Sequence, residues 1–433
     1  MLLGSLAVGV AGCLGTTSPA HAAPLAYDEP AAFDVAEQAY LGARAPHNEG
    51  GGYAWGASYY LLGLLRMYEA YGNPDHLDRF GREADRILAS TDEARGVTDW
   101  AGRSGKVWRA AGAYTASHGT VPDAGGNAVL QLRWAGSRPA EATAEISEVV
   151  GDTFTVTLRT PTSATAVTLT GATLDRASDR YVVDLVNAAY TPSLRWTAKE
   201  LRAAPAPAAA PPAATVVFEP QFYVFAVHTG MITHPLARYA RMVLADKGLS
   251  RSRHGGRAHR IVAQVRQSVA FHDSELVMRP DGTADYVWPA GAPLAFDGLI
   301  QPYNQSHGLG QTMAELFRIT GDQVYADRVR ALLTTFAKGL TETTAGGYVW
   351  NYWPVHSELH SGYTAGQTPS TYTPSFTPAV QAEDISHGAI SIEFAVAAQE
   401  AGIVDWDGEL GRFGRTFSQQ VIALRTFGYL HLT

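Results

Sequence analysis

The stretch Tyr71-Gly72-Asn73-Pro74-Asp75-His76-Leu77-Asp78-Arg79 recurs without a gap as Thr320-Gly321-Asp322-Gln323-Val324-Tyr325-Ala326-Asp327-Arg328. In each copy an apolar helical pattern runs into a Gly turn, and a second helical pattern opens with x-Asp-Arg. Upstream of the first copy, Tyr59, Leu62, Leu65, Met67, Tyr68 and Tyr71 recur at helical spacing. Gly72-Asn73-Pro74 ends that helix, and Asp75 is placed to cap the next one through Leu88. A third hairpin starts near His228, turns at Lys247-Gly248 and returns through His259 to Phe271. A fourth starts at Ser386-His387-Gly388 and turns at Ala401-Gly402. Repeated helical hairpins bury their apolar faces on their neighbours, and successive pairs can curve into a ring. The expected fold is therefore mainly α: an (α/α) toroid, an incomplete barrel of helical hairpins.

Between the first hairpin and the one that starts near His228 the character changes near Gly119. Short runs rich in Thr and Val alternate with turn residues: Ala128–Leu132, Thr153–Leu158, Ala166–Thr170 and Tyr181–Leu185. Period-two alternation and close spacing predict strands of a small antiparallel β-sandwich inserted in the helical array. Ala203 to Ala214 is Pro/Ala-rich and reads as a linker. The predicted organisation is an export signal over 1–22, the N-terminal part of the toroid over 23–118, the β-rich insert and linker over 119–215, and the C-terminal part with the cleft over 216–433.

The export signal rests on an uncharged apolar run, Leu2 to Leu14, followed by the small-x-small site Ala20-His21-Ala22. Val10-Ala11-Gly12-Cys13 also resembles a lipoprotein signal with Cys13 acylated, but the small-x-small site favours simple secretion. Cys13 is the only cysteine, so no intrachain disulfide forms and packing must supply the stability. No later segment is long and apolar enough to span a bilayer. A net charge of -8 gives no basic surface for a nucleic-acid backbone. An acidic polymer still fits, because a local cluster of Arg and His outweighs a mildly acidic average.

Candidate chemistry lies where the first helix of each hairpin begins. Three starts carry His beside Gly and Ser or Thr: His228-Thr229-Gly230, Ser306-His307-Gly308 and Ser386-His387-Gly388; the first hairpin has Trp55-Gly56. If these helices line one ring, their N-termini share a mouth where free N–H groups and helix dipoles favour an anion. Imidazoles there offer general acid and base groups; a single such His could equally be a satisfied structural residue. Tyr303-Asn304-Gln305-Ser306 sets a phenol, an amide and a hydroxyl before His307, and Glu383-Asp384 sets two carboxyls before His387, with Asp384 or Ser386 also suited to an N-cap role. Tyr348-Val349-Trp350-Asn351-Tyr352-Trp353-Pro354 concentrates aromatics beside a polar stretch from His356 to Pro378, which predicts a loop at the cleft mouth. Trp350, Trp353, Trp55 and Tyr303 suit sugar faces, while Asn351, His356, Glu383 and Asp384 suit hydroxyls.

Nucleotide-type Gly loops, the G-x-S-x-G elbow and the helical zinc motif do not occur. No cofactor is expected, and a divalent cation held by His228, His307, His387 and Glu383 would draw on scattered ligands.

Tyr303-Asn304-Gln305, the apolar helix after it and Thr320-Gly321-Asp322 resemble the helical domain of glucuronyl 5-epimerases. The Asn/His/Tyr content also resembles toroid-type polysaccharide lyases acting on alginate, heparin-like or hyaluronan-like chains. The similarity covers roughly 221–433. It implies a secreted enzyme that removes the proton at carbon 5 of a uronate while the carboxylate is neutralised. By that resemblance Asn304 and His228 neutralise, His307 or His387 is the base and Tyr352 the acid, with Tyr303 in reserve. Three other readings stay open. One is a glycoside hydrolase pairing Glu383 or Asp384 with Asp297 or Glu219. The others are an epimerase that leaves the chain intact and a sugar-binding protein without catalysis.

Overall fold

The computed structural model describes residues 30–161, 166–203, 209–424 and 430–432. The predicted export signal and Cys13 lie outside the described residues. The chain divides into two units, Met1–Ala43 and Arg44–Thr433. The described part of the first is helix α1, Pro30–Ala43.

The second unit is mainly helical with small antiparallel sheets. Its helices come in consecutive pairs: α2 (Ser58–Tyr71) with α3 (Pro74–Leu88), then, beyond a short α4 (Val182–Ala188), α5 (Ala226–Ala245) with α6 (Arg253–Ala270), α7 (Tyr303–Thr320) with α8 (Gln323–Gly339), and α9 (Ile385–Glu400) with α10 (Asp407–Thr416). The repeated motif has one local geometry. Gly72 and Gly321 close α2 and α7 at φ of 67° and 68°, a region a side chain resists. Asn73 then caps α3 by accepting from Asp75 N at 3.0 Å, as Asp322 caps α8 by accepting from Val324 N at 3.3 Å. The cap of α3 is thus Asn73 rather than Asp75, because Pro74 takes the first helical position, where its missing N–H costs nothing.

Side-chain pairs give the direction of the first helices. From α2 to α5, Trp55 just before α2 meets His228, and Glu69 meets Arg238 at 2.8 Å. From α5 to α7, Thr233 meets Thr312 at 2.9 Å and Arg241 meets Glu315. From α7 to α9, His307 meets Ser391 at 2.9 Å and Arg318 meets Glu400 at 3.0 Å. Glu393 of α9 reaches Arg66 of α2 at 3.3 Å. Each pair advances along both helices together, so the four run parallel. Their approach is close: a Cβ on Gly230 would fall inside the van der Waals envelope of the Gly308 carbonyl. Fifteen of the 20 residues of α5 are buried, which makes it the central helix of the array.

The chain leaves the helices for eight strands: β1 (Ser117–Pro122), β2 (Ala128–Trp134), β3 (Thr143–Val150), β4 (Thr153–Arg159), β5 (Val167–Thr173), β6 (Trp196–Glu200), β7 (Ala214–Val216) and β8 (Phe218–Pro220). They form two antiparallel sheets, ordered β6-β2-β1-β8 and β5-β4-β3-β7. Leu130, Leu132, Trp134 and Trp196 of one sheet and Ile146, Phe154, Val156 and Leu158 of the other share one apolar cluster. Tyr181–Leu185, expected as a strand, is instead the N-cap and body of α4. Val182 and Val186, four residues apart, face the same cluster, and that burial outweighs the β-propensity of Val. The Pro/Ala-rich linker ends in β7, which pairs with β3.

Candidate active site

The predicted histidines lie near the starts of parallel helices, and their surroundings divide them. His228, the third residue of α5, is 1% exposed. Trp55 Nε1 donates to its Nε2 at 3.1 Å, and its Nδ1 lies 3.2 Å from Asn48 Nδ2. The Asn48 amide is held from behind, its Oδ1 accepting from Tyr53 N and Ala54 N. Tyr114 and Phe225 complete the box, with ring centroids 4.8 and 5.1 Å from the imidazole. Burial lowers the His228 pKa to about 3, so the ring is neutral over the ordinary pH range.

His307 lies a full turn into α7, between helices rather than at a mouth. It is 1% exposed, bonds Ser391 and packs on Phe336 and Phe394, each 4.8 Å away between centroids. Burial lowers its pKa to about 3 as well. The expectation of a base at the cleft mouth does not fit this position, since its ring is enclosed by aromatic side chains. Tyr303 stacks on it at 5.7 Å and is buried, and the neighbouring Asn304 is buried with Oδ1 unpartnered among the described residues.

His387, in the first turn of α9, has a different setting: its side chain is 40% exposed. Asp384 caps the helix, its Oδ1 accepting from Ser386 N and His387 N, while its Oδ2 lies 2.5 Å from His387 Nδ1. That contact places the imidazole proton on Nδ1 and leaves Nε2 as the acceptor nitrogen of the ring. Asp384 has its pKa lowered to about 2, against the effect of burial, by the Ser386 hydroxyl and then His387. Tyr352 meets the His387 ring edge-on at 5.4 Å, and Gln305 lies beside the Tyr352 hydroxyl. Burial, then the Glu383 charge, raise the Tyr352 pKa above its usual 10.

Glu383 completes the group. Both of its carboxyl oxygens are shielded from solvent, with the Trp350 indole and the Asp384 backbone N–H as the donors beside them. Burial first, and the Asp384 charge second, push its pKa up to about 8. One carboxyl is therefore neutral and its sequence neighbour ionised at pH 7, a separation of roles that acid–base sites use. Glu383, Asp384 and His387 each offer a donor atom within 4.8 Å of the others. That is a compact set compared with the scattered ligands expected from sequence, since His228 and His307 are each enclosed elsewhere.

The aromatic run divides too. Trp353 is 5% exposed among Trp288, Phe296 and Tyr352, and Trp350 packs edge-on against Phe336 and Phe413, so Trp353 offers no open ring face to a sugar. Asn351 Nδ2 lies 3.2 Å from His360 Nε2, and His356 Nε2 lies 2.8 Å from Asp285 Oδ2. Asp297 accepts from Gly291 N, Ser370 Oγ, Thr371 N and Tyr372 N, which engages its oxygens in holding a loop. Glu219 sits exposed on β8.

Two groups thus stand at the N-terminal end of the parallel helices: Glu383-Asp384-His387 with Tyr352, and His228 with Trp55. Asn48 and Tyr114 were missed, because they precede and follow the first hairpin pattern without a motif of their own. Comparison with protein-family models, curated proteins and solved structures gives no match for this chain.

Proposed function

We propose that this chain is a secreted polysaccharide lyase that cleaves a uronate-containing polymer by β-elimination, with its centre at the start of α9. The observation that carries the reading is the exposed Asp384–His387 pair set against Tyr352. His387 Nε2 takes the proton from carbon 5 of the uronate, and Asp384 stabilises the imidazolium that forms. The electron pair becomes the second bond of a double bond between carbons 4 and 5 as the bond from carbon 4 to the bridging oxygen breaks. Tyr352 gives its proton to that oxygen. Neutral Glu383 donates a hydrogen bond to the uronate carboxylate as charge builds on it, a role that an ionised carboxylate would oppose.

The four parallel first helices, with Arg66–Glu393 joining the last to the first, support a ring of hairpins of the (α/α) toroid kind around this end. Secretion rests on the segment before Ala23. The pKa separation of Glu383 and Asp384 favours a second reading, glycoside hydrolysis with Glu383 as the acid. Incubation of the protein with a panel of uronate polymers separates the two. Growth of ultraviolet absorbance from a conjugated unsaturated end, lost in His387→Ala, is the expected result. New reducing ends without that absorbance would replace the lyase by the hydrolase.

A further inference from the structure

Away from α9, a cavity of about 880 Å³ opens between the strands and the loops around 291–293 and 365–374. Its size lies within the range of roughly 300–1,000 Å³ typical of small-molecule sites. None of the residues of the α9 group lines it. Arg133 of β2 does, and it is 6% exposed with no carboxylate within salt-bridge distance among the described residues. Its Nε donates to Gln131 and its Nη1 reaches Thr371 Oγ1 at 3.4 Å, while Nη2 has no hydrogen-bond partner among the described residues. The carboxylate that offsets it, Asp297, acts through the Thr371 hydroxyl and already accepts from the loop. A buried guanidinium with an unfilled fork is costly unless an anion completes it.

The rest of the lining agrees. Lys199 is exposed and forms no ion pair among the described residues. The Arg133 guanidinium lies 4.9 Å from the Tyr372 ring centroid, and the Tyr372 hydroxyl meets His118 Nε2 at 2.7 Å. Trp100 lines the wall, and its buried indole N–H has no partner among the described residues. Of the two carboxylates on the rim, Glu200 is neutralised by Arg176 and Arg202, which leaves Asp184 as the opposing charge.

We infer that this cavity is a second saccharide site, which seats the carboxylate of an acidic sugar unit on Arg133 with Lys199 beside it. The anionic chemistry follows from the cavity, and the choice of a uronate as ligand rests on the function proposed above. The site gives the β-strands a role: they hold polymer away from the point of cleavage.

Calorimetric titration of the full chain tests it, in a His387→Ala background that prevents turnover. The probes are trigalacturonate, an alginate trimer, maltotriose as the neutral control and sodium sulfate. Saturable binding of at least one uronate trimer, with none by maltotriose, is expected. Arg133→Gln should weaken it about 10-fold or more, the scale of a lost charged hydrogen bond. Lys199→Gln, on an exposed side chain whose loss leaves the core untouched, should weaken it about 2- to 5-fold. Circular dichroism verifies that Arg133→Gln is folded; if it is not, Lys199→Glu gives the decisive reading. Equal binding of maltotriose, sulfate binding without trimer binding, or trimer affinity unchanged in these variants overturns the site. Trimer binding with no elimination on any polymer would sink the lyase reading alone. Elimination without trimer binding would sink the second site alone.

Discussion

Glu383→Gln isolates the charge state on which the proposed chemistry depends. The folded protein holds this carboxyl neutral up to about pH 8, whereas an unfolded chain releases the proton near 4.5. Between those values the folded state carries the extra proton, so stability falls as pH rises. The contribution is fully present below about 4.5 and lost once the pH has passed about 8. At about 1.4 kcal/mol per pH unit the full span corresponds to roughly 5 kcal/mol. Rotation of the partly exposed side chain toward water would reduce that to about 2–4 kcal/mol. Gln has nearly the same shape and never ionises, so the variant lacks this slope whatever its absolute stability. Urea unfolding of both proteins from about pH 5 to pH 9 is the assay. The wild type should lose about 2–4 kcal/mol relative to the variant over that range. Curves that stay parallel within about 0.5 kcal/mol would refute a buried, neutral Glu383 and remove it from the mechanism.

His387→Ala should lower turnover by about 10²–10⁴-fold with the fold retained, and undiminished activity would move the base elsewhere. Asp384→Ala should reduce turnover and also weaken the α9 cap, costing about 1 kcal/mol in unfolding experiments. His307→Ala should act on stability, by about 2–4 kcal/mol through a cavity between α7 and α9 and an unpaired Ser391; a folded, fully stable but inactive variant would return His307 to the catalytic group. Gly230→Ala should cost about 2 kcal/mol or more because the backbone of α7 cannot yield as a side chain would, and a neutral result in thermal unfolding would deny the close crossing. The rate of the elimination should fall as the pH passes about 8, where Glu383 ionises, and a rate still rising there would argue against a neutral donor.

What the sequence disclosed is what short-range physics determines. The Gly turns at 72 and 321 carry their meaning locally, because a left-handed residue and a capping side chain need no distant partner. The starts of α5, α7 and α9 were legible for the same reason, and so was the pairing of Asp384 with His387 three residues later. Tyr181–Leu185 misled because Val favours strands until a core is present to receive Val182 and Val186 on one helical face. His307 and His387 look alike in sequence, each between Ser and Gly. Only the packing of Phe336 and Phe394 encloses one, and nothing comparable covers the other. The raised pKa of Glu383 has the same tertiary origin. Arg133, Lys199 and Tyr372 come from three distant segments, so no window of sequence could join them.

The strands leave and rejoin the helical array at one place. Ala110 and Tyr223 exchange backbone hydrogen bonds at 2.7 and 2.9 Å, and Ser117–Gly119 pair with Phe218–Pro220 just beyond. To the helices, everything between is a long excursion closed by a zipped stem, equivalent to a short loop. Lengthening such an excursion adds closure entropy only logarithmically. The closure of the helical array on either side is therefore insensitive to the length of that excursion, while Tyr114 at its start, against His228, and Arg133 within it, against Thr371, tie its content to the helical part.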